Sequence, residues 1–197
     1  MTFSLGLTGS IGMGKSTTAK LFAEAGCAVW DADAAVHRLY DTGGAAVDLL
    51  QVRFPQAIKD RQVSRAALKE VIGNNPNALK EIEAIVHPLV ALDREAFRNT
   101  ADTDILVFDI PLLFETGGNT EMDAVACVSI DAETQQRRVL ERGTMTVEQF
   151  QQILQKQMPI EEKITRSDYV IVTDTLEHAR EQVDRVLKNI REKMANA

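Results

Sequence analysis

The sequence predicts an α/β fold in which helices cover both faces of a five-stranded parallel sheet. Residues 3–8 alternate Phe3, Leu5 and Leu7, and four further short runs are almost continuously apolar, at residues 27–31, 105–110, 124–130 and 169–173. Such runs are typical of parallel strands that are buried on both faces. Helical patterns separate them, and in the last pattern the apolar residues share one face: Ala179, Val183, Val186, Leu187, Ile190 and Met194. Strands that alternate with helices build a three-layer α/β/α sandwich.

The first predicted strand leads into a glycine-rich segment and then into a helix expected over residues 15–25, with Gly26 as its stop. Residues 9–16 read GSIGMGKS, which matches the phosphate-loop pattern G-x-x-x-x-G-K-[ST] in its required place between a strand and a helix. Glycines let main-chain amides approach phosphates, and the helix N-terminus attracts negative charge. We therefore predict a P-loop fold with a nucleoside triphosphate site.

Two side chains of this loop carry the expected chemistry. Lys15 is predicted to reach the β and γ phosphates and to act in catalysis, and the Ser16 hydroxyl to bind Mg²⁺, which bridges the same oxygens. The further expected ATP contacts come from the same segment: Gly9, Ile11, Gly12, Met13, Gly14 and Thr17. The motif alone does not distinguish hydrolysis, switching and phosphoryl transfer, because proteins of all three kinds use it.

The spacing of the strands predicts one kinase domain, 1–197, with two excursions from its core at 1–32, 99–131 and 164–197. About 70 residues separate the second strand from the third, so we expect a helical substrate-binding insertion at 33–98. Within it, Asn75 and Pro76 are expected to begin a helix as its cap and first-turn residue. The second excursion, 132–163, is predicted to be a helical lid, in which Gly143 ends one helix and a capping box from Thr146 to Gln149 begins the next.

Carboxylates follow two of the predicted strands, where open α/β sheets bind their ligands. Asp31 and Asp33 come directly after the second strand, and Asp33 is the candidate that accepts the proton of an acceptor hydroxyl or aligns that hydroxyl. The alternative is that either residue only caps the next helix. Asp109 ends the third strand and could hold the water shell of the metal, or serve as an ordinary loop residue.

The lid carries two arginines four residues apart, Arg138 and Arg142, which share one helix face and can point together at phosphates. Guanidinium groups suit the spread charge of phosphoryl transfer. The alternative is a solvated helix whose arginines pair with Glu133 and Glu141.

Composition excludes several other classes of function. The formal net charge of -7, with both signs mixed along the chain, speaks against a nucleic-acid partner. No apolar run approaches the roughly 20 residues that span a bilayer, so no membrane partner and a cytoplasmic location are expected. Cys27 and Cys127 are predicted to be inert core thiols. The three histidines, His37, His87 and His178, show no zinc-binding spacing.

Beyond the phosphate loop, the chain resembles the dephospho-coenzyme A kinase family in several short motifs that follow one another in the family's order. They are Asp31-Ala32-Asp33, His87-Pro88-Leu89-Val90, Pro111-Leu112-Leu113-Phe114-Glu115, Gln135, Arg138, Arg142, Gln157-Met158-Pro159 and Ser167-Asp168-Tyr169-Val170-Ile171. This resemblance spans nearly the whole chain. It implies phosphorylation of the ribose 3′-hydroxyl of dephospho-coenzyme A by ATP and Mg²⁺, the last step of coenzyme A synthesis.

The resemblance also implies roles for single residues. Asp33 would be the base, Arg138 would contact the transferring phosphate, and Arg142 would lie near the adenine. Substrate contacts are then expected at Asp33, His37, His87 and Glu115. The chain departs from the family where an Asn often follows the last strand, because Thr173 and Asp174 stand there, which leaves the contacts to the base open.

Two other functions remain alternatives at the level of sequence. A shikimate- or gluconate-type kinase shares the phosphate loop, an acid after the second strand and lid arginines, but the long insertion with His87-Pro88 argues against it. A nucleotide switch without transfer chemistry would lack both the acid and the arginines. The oligomeric state stays open, and a monomer is compatible with the sequence.

Overall fold

The computed structural model describes residues 2–196. They fall into two compact units, one made of the described parts of Met1–Trp30 and Ala101–Ala197 and the other of Asp31–Thr100. The boundaries predicted for a core, an insertion and a lid within one domain stay predictions.

The strands, in chain order, are β1 (Phe3–Thr8), β2 (Ala28–Asp31), β3 (Ile58–Lys59), β4 (Gln62–Val63), β5 (Ile105–Asp109), β6 (Ala124–Ser129) and β7 (Tyr169–Val172). The helices are α1 (Lys15–Glu24), α2 (Ala32–Tyr40), α3 (Ala45–Arg53), α4 (Arg65–Asn74), α5 (Ala78–Thr100), α6 (Ala132–Glu141), α7 (Val147–Lys156), α8 (Ile160–Arg166) and α9 (Leu176–Ala195). Short 3₁₀ turns lie at Pro55–Ala57 and Gly118–Glu121.

The first unit is built on a five-stranded sheet in the order β2-β5-β1-β6-β7, so the predicted α/β fold with a parallel sheet is confirmed. Each strand of this sheet begins and ends within one residue of its predicted range, whereas β3 and β4 lie in the stretch that was predicted to be helical. In β1, β5 and β6 nearly every side chain is buried, as expected for strands with a helix layer on each face. The register pairs Leu7 with Asp109, which brings the end of β5 beside the start of the phosphate loop.

The core of this unit joins the sheet to α1 and α9. The face of α9 that the sequence predicted is confirmed, since Ala179, Val183 and Leu187 are buried and Met194 packs at the margin of the same cluster. Cys27 and Cys127 are buried and free, as expected for core thiols. Burial raises the pKa of each thiol to about 11, which keeps both protonated and unreactive at neutral pH.

The second unit packs α2, α3, α4 and α5 with the hairpin of β3 and β4 around its own apolar cluster. The expectation that Asn75 and Pro76 begin a helix is wrong. Asn75 instead closes α4, and its side chain accepts a hydrogen bond from the Asn77 amide (3.0 Å), so the chain turns before α5 begins at Ala78. An Asx turn of this kind competes with the helical bonds that a cap would start.

The segment 132–163 of the first unit holds α6, α7 and the first part of α8. Gly143, with φ of 64°, follows α6 in the left-handed conformation that favours glycine after a helix. The capping box predicted for α7 is confirmed: the Thr146 hydroxyl accepts from the Gln149 amide, and the Gln149 side chain accepts from the Thr146 amide. No helix within residues 2–196 has the length and hydropathy to cross a bilayer.

Candidate active site

The phosphate loop lies between β1 and α1, and its glycines take conformations that other residues rarely adopt. Gly12 and Gly14 have φ of 77° and 84°. A Cβ on Gly12 would also stand 2.4 Å from Cγ2 of Val139, so this position needs glycine for space as well as for conformation. Gly14 precedes α1, whose first-turn amides have no side-chain cap in the described chain. The helix N-terminus is thus built to receive an anion.

Three side chains from distant parts of the first unit hold this loop from outside. The Gln135 side chain donates to the carbonyl of Ile11 (2.7 Å), and the Gln157 side chain accepts from the amide of the same residue (3.3 Å). The Thr173 hydroxyl donates to the carbonyl of Met13 (2.9 Å). Reasoning from the sequence assigned no role to these contacts. They join residues 124 to 160 positions apart, so no local pattern could reveal them.

Lys15 forms a salt bridge with Asp109, whose side chain is only 1% exposed. Two predicted residues therefore meet at the phosphate loop, one at the start of α1 and the other at the end of β5. A buried carboxylate needs a compensating charge, and the ammonium of Lys15 supplies it. The assignments of Lys15 to phosphate and of Asp109 to the metal stay predictions.

Arg138 and Arg142 line a cavity of about 250 Å³ beside the phosphate loop. The other residues of its wall come from the loop, from α1 and from the segment after β7: Gly12, Gly14, Thr17, Thr18, Thr173, Thr175, Leu176 and Ala179. Arg138 donates to the hydroxyl (3.2 Å) and to the carbonyl (2.7 Å) of Thr173. Within residues 2–196 it bonds this segment and not the glutamates of its own helix, Glu133 and Glu141, so the alternative of a simple solvated helix loses its basis.

Glu115 is anchored by two groups from the far end of the segment 132–163. Its Oε1 atom lies 2.9 Å from the ammonium of Lys163 and accepts from the amide of Met158 (2.9 Å). Lys163 is fully buried and also donates to the carbonyl of Pro111 (3.2 Å). Burial alone would raise the pKa of Glu115, but the hydrogen bonds from Lys163 and Met158 outweigh it and lower the pKa below its ordinary value. The carboxylate is therefore ionised at neutral pH.

Four predicted residues belong to the second unit: Asp31, Asp33, His37 and His87. Asp31 caps α2, since its side chain accepts from the amide of Ala34 (2.8 Å), so the capping alternative applies to Asp31. Asp33 is the second residue of that helix and its side chain is exposed. His37 and His87 are exposed on α2 and α5. Across residues 2–196, no three or more His, Cys, Asp or Glu side chains cluster as a metal site made of protein ligands alone.

The chain is similar over almost its whole length to dephospho-CoA kinases. The sequence model of dephospho-CoA kinase matches residues 3–178. The dephospho-CoA kinase of Ruegeria pomeroyi is 67% identical over 191 residues, which cover 97% of each chain. Among solved structures, TT1252 from Thermus thermophilus superimposes with a TM-score of 0.84 at 30% identity, covering 98% of this chain and 97% of the other. A dephospho-CoA kinase from Campylobacter jejuni gives 0.71 at 26% identity, with coverage of 98% and 99%.

The full-length similarity to named dephospho-CoA kinases agrees with the order of the sequence motifs. It also agrees with a phosphate loop that carries a lysine and lies beside an arginine-lined cavity. The chain belongs to the dephospho-CoA kinase family.

Proposed function

We propose that the protein transfers the γ-phosphoryl group of ATP to the ribose 3′-hydroxyl of dephospho-coenzyme A, giving coenzyme A and ADP in the last step of coenzyme A synthesis. The observation that carries this proposal is full-length likeness to a named dephospho-CoA kinase combined with a phosphate loop that has Lys15, Asp109 and Arg138 around it. Membership of the family speaks against the shikimate- or gluconate-type alternative and against a switch without transfer chemistry.

The phosphate loop binds ATP through its main-chain amides, with the expected contacts at Gly9, Ile11–Gly14 and Thr17 as predicted above. Lys15 reaches the β and γ phosphates from a position that the buried carboxylate of Asp109 fixes. Because phosphoryl transfer passes through a loose transition state, catalysis is mainly the placement of charge around the moving group. Arg138 supplies positive charge from the other wall of the cavity, and Arg142 lies toward the adenine.

Ser16 and Asp109 are the residues that would hold Mg²⁺ and its water shell. Their donor set fits this ion, because hydroxyl and carboxylate oxygens are the ligands that Mg²⁺ prefers and it retains several waters. Ser16 stands exposed at the start of α1, and Asp109 ends the neighbouring strand. When bound, Mg²⁺ offsets charge on the β and γ phosphates.

On the acceptor side, Asp33 aligns the ribose 3′-hydroxyl and takes its proton, and His37 and His87 bind dephospho-coenzyme A. The exposed carboxylate of Asp33, not engaged as a helix cap, supports its part in this assignment. Glu115, whose Oε1 atom is held by Lys163 and by the amide of Met158, is the remaining proposed substrate contact. The substrates are small soluble molecules, so we propose a cytoplasmic location without nucleic-acid or membrane partners.

The segment 132–163 acts as a lid that closes when ATP binds, because it carries both arginines of the cavity. Amide hydrogen exchange in this segment is expected to slow when ATP and dephospho-coenzyme A are added together. Unchanged exchange there would argue against closure.

One assay tests the proposed activity. ADP formation by the purified protein is measured with dephospho-coenzyme A, shikimate, gluconate or water as the acceptor, and the product is identified by its gain of one phosphoryl group. Of the four acceptors, we expect only dephospho-coenzyme A to give rapid turnover. Lys15→Ala is the control, because loss of activity in this variant excludes a contaminating kinase. Preferential turnover of another acceptor would overturn the proposal.

A further inference from the structure

Thr173 occupies the centre of a hydrogen-bond network between the phosphate loop and Arg138. Its hydroxyl donates to the Met13 carbonyl (2.9 Å) and accepts from Nη1 of Arg138 (3.2 Å), so one side chain uses both its donor and an acceptor position. Its carbonyl accepts a further bond from Nη2 of the same arginine (2.7 Å). The Arg138 guanidinium and the Met13 carbonyl are thus both hydrogen-bonded to the hydroxyl of Thr173.

The position of Thr173 is fixed from two further sides. Its amide donates to the Ser129 carbonyl (2.9 Å), which continues the pairing of β7 with β6 by one residue. Its side chain packs on the phosphate loop, since a Cβ on Gly14 would lie only 3.1 Å from the Cβ of Thr173. The residue is 7% exposed. A buried side chain with these hydrogen bonds and packing contacts is held in one rotamer. It therefore restricts the positions of its hydrogen-bond partners, Arg138 and the Met13 carbonyl.

Arg138 keeps part of its donor capacity for a ligand. A guanidinium group has five N–H donors. Three hydrogen bonds go to the segment after β7, the third being a longer one to the Asp174 carbonyl (3.5 Å). The other N–H groups can face the cavity of about 250 Å³ that Arg138 lines. The arginine is therefore held by one edge and can present the other edge to phosphate.

We propose that Thr173 is a positioning residue for phosphoryl transfer, because its hydroxyl sets the location of the Arg138 guanidinium relative to the main chain of the phosphate loop. This inference rests on the proposed function and assigns a role to a position where the chain departs from the family pattern. Threonine suits the task because its branched Cβ restricts the side-chain rotamer while its hydroxyl both donates and accepts. Valine has the same shape but neither hydrogen-bonding ability.

The test compares Thr173→Val with Thr173→Ser in the dephospho-coenzyme A kinase assay. A displacement of about 1 Å at a reacting group can lower the rate about 10²-fold, and we expect a fall in kcat of this order for the valine variant. The KM for dephospho-coenzyme A should stay within about 3-fold, because only the phosphate side is disturbed. Thr173→Ser should restore most of the turnover. Thr165→Val is the matched control, since that hydroxyl donates to the carbonyl of Glu161 on its own exposed helix turn (2.8 Å).

Combination with Arg138→Lys separates positioning from a merely structural role. If Thr173 acts through Arg138, Thr173→Val should add little to the loss already caused by Arg138→Lys, whose ammonium lacks the two-pronged geometry. Losses that multiply in the double variant would overturn the inference, as would full activity of Thr173→Val. If the valine variant does not fold, Thr173→Ala, which introduces no new contact, takes its place in the same cycle. A wild-type protein without dephospho-coenzyme A kinase activity would instead overturn the proposed function.

Discussion

Replacing Glu115 by Gln should destabilise the protein more than replacing its partner Lys163 by Met. Lys163 is fully buried, whereas the Glu115 side chain is 18% exposed. In Glu115→Gln the shape is kept, but the ammonium stays buried with only neutral acceptors such as the carbonyl of Pro111. In Lys163→Met the charge is removed from the interior, and the carboxylate keeps its bond from the Met158 amide and its contact with water.

The expected magnitudes follow from this asymmetry. Removal of one partner from a buried ion pair destabilises a protein by about 3–5 kcal/mol. Because the glutamine can still accept a hydrogen bond from Lys163, we expect the lower end, about 3 kcal/mol, for Glu115→Gln. For Lys163→Met we expect about 1–2 kcal/mol, since the buried charge disappears and methionine fills most of the volume. Urea unfolding followed by circular dichroism measures both changes as shifts of the midpoint at constant slope.

The same pair predicts a pH dependence. The pKa of Glu115 is lower in the folded than in the unfolded protein, so the unfolded chain binds the proton more readily. Its stabilising contribution is thus complete above the unfolded pKa, about 4.3, and is lost as the pH falls through the lower folded pKa. The difference in unfolding free energy between wild type and Glu115→Gln should be largest at neutral pH and shrink at acid pH.

A matched control lies beside the pair, because Glu162 directly precedes Lys163 in α8. Glu162 forms a salt bridge with Arg166 on the exposed face of α8, and both side chains are about half exposed. Glu162→Gln should therefore change the unfolding free energy by less than about 1 kcal/mol. A larger loss for Lys163→Met than for Glu115→Gln, or a difference that does not change with pH, would refute the reasoning.

Three further variants test the site and its support. Asp33→Asn should lower kcat by about 10² to 10⁴ with little change in ATP affinity, and near-normal turnover in the acceptor assay would remove Asp33 from catalysis. Gly12→Ala should abolish ATP binding in calorimetric titration, because the new Cβ would meet Val139 at 2.4 Å and φ is 77°; retained affinity would contradict this. Thr146→Ala removes an N-cap bond to the Gln149 amide and should destabilise α7 by about 1 kcal/mol, which faster hydrogen exchange in its first turn would reveal and unchanged exchange would disprove.

Local signals in the sequence predicted much of the fold. The phosphate loop, the capping box of α7 and the apolar face of α9 are each encoded within a few turns of chain, so the pattern and the physical cause coincide. The predicted start of α5 is wrong because the Asn75 side chain can cap a helix or close a turn, and in the structure it accepts from the Asn77 amide and closes a turn.

The supporting contacts of the site were beyond such reasoning. Lys163 lies in a helix rich in charged residues, where a lysine is ordinarily solvated, and only the fold turns it toward Glu115 and the interior. The hydrogen bonds of Gln135 and Gln157 to Ile11 likewise depend on which helices pack beside the phosphate loop. These side-chain contacts depend on the order of the strands in the sheet. The spacing of apolar residues in the sequence does not encode that order.

The two glutamine contacts to Ile11 would limit how far the proposed lid can open. One arises from α6 and the other from the residue that follows α7, so both arms of this helical hairpin are fastened to a single amino acid. Because both hydrogen bonds lie at the open end of the hairpin, its connecting turn around Gly143 is the part that could move farthest while they stay intact. If the proposed lid opened by moving the whole hairpin, both hydrogen bonds to Ile11 would have to break. The phosphate loop would lose these two contacts at the same time, so large opening of the lid and loosening of the loop would be coupled.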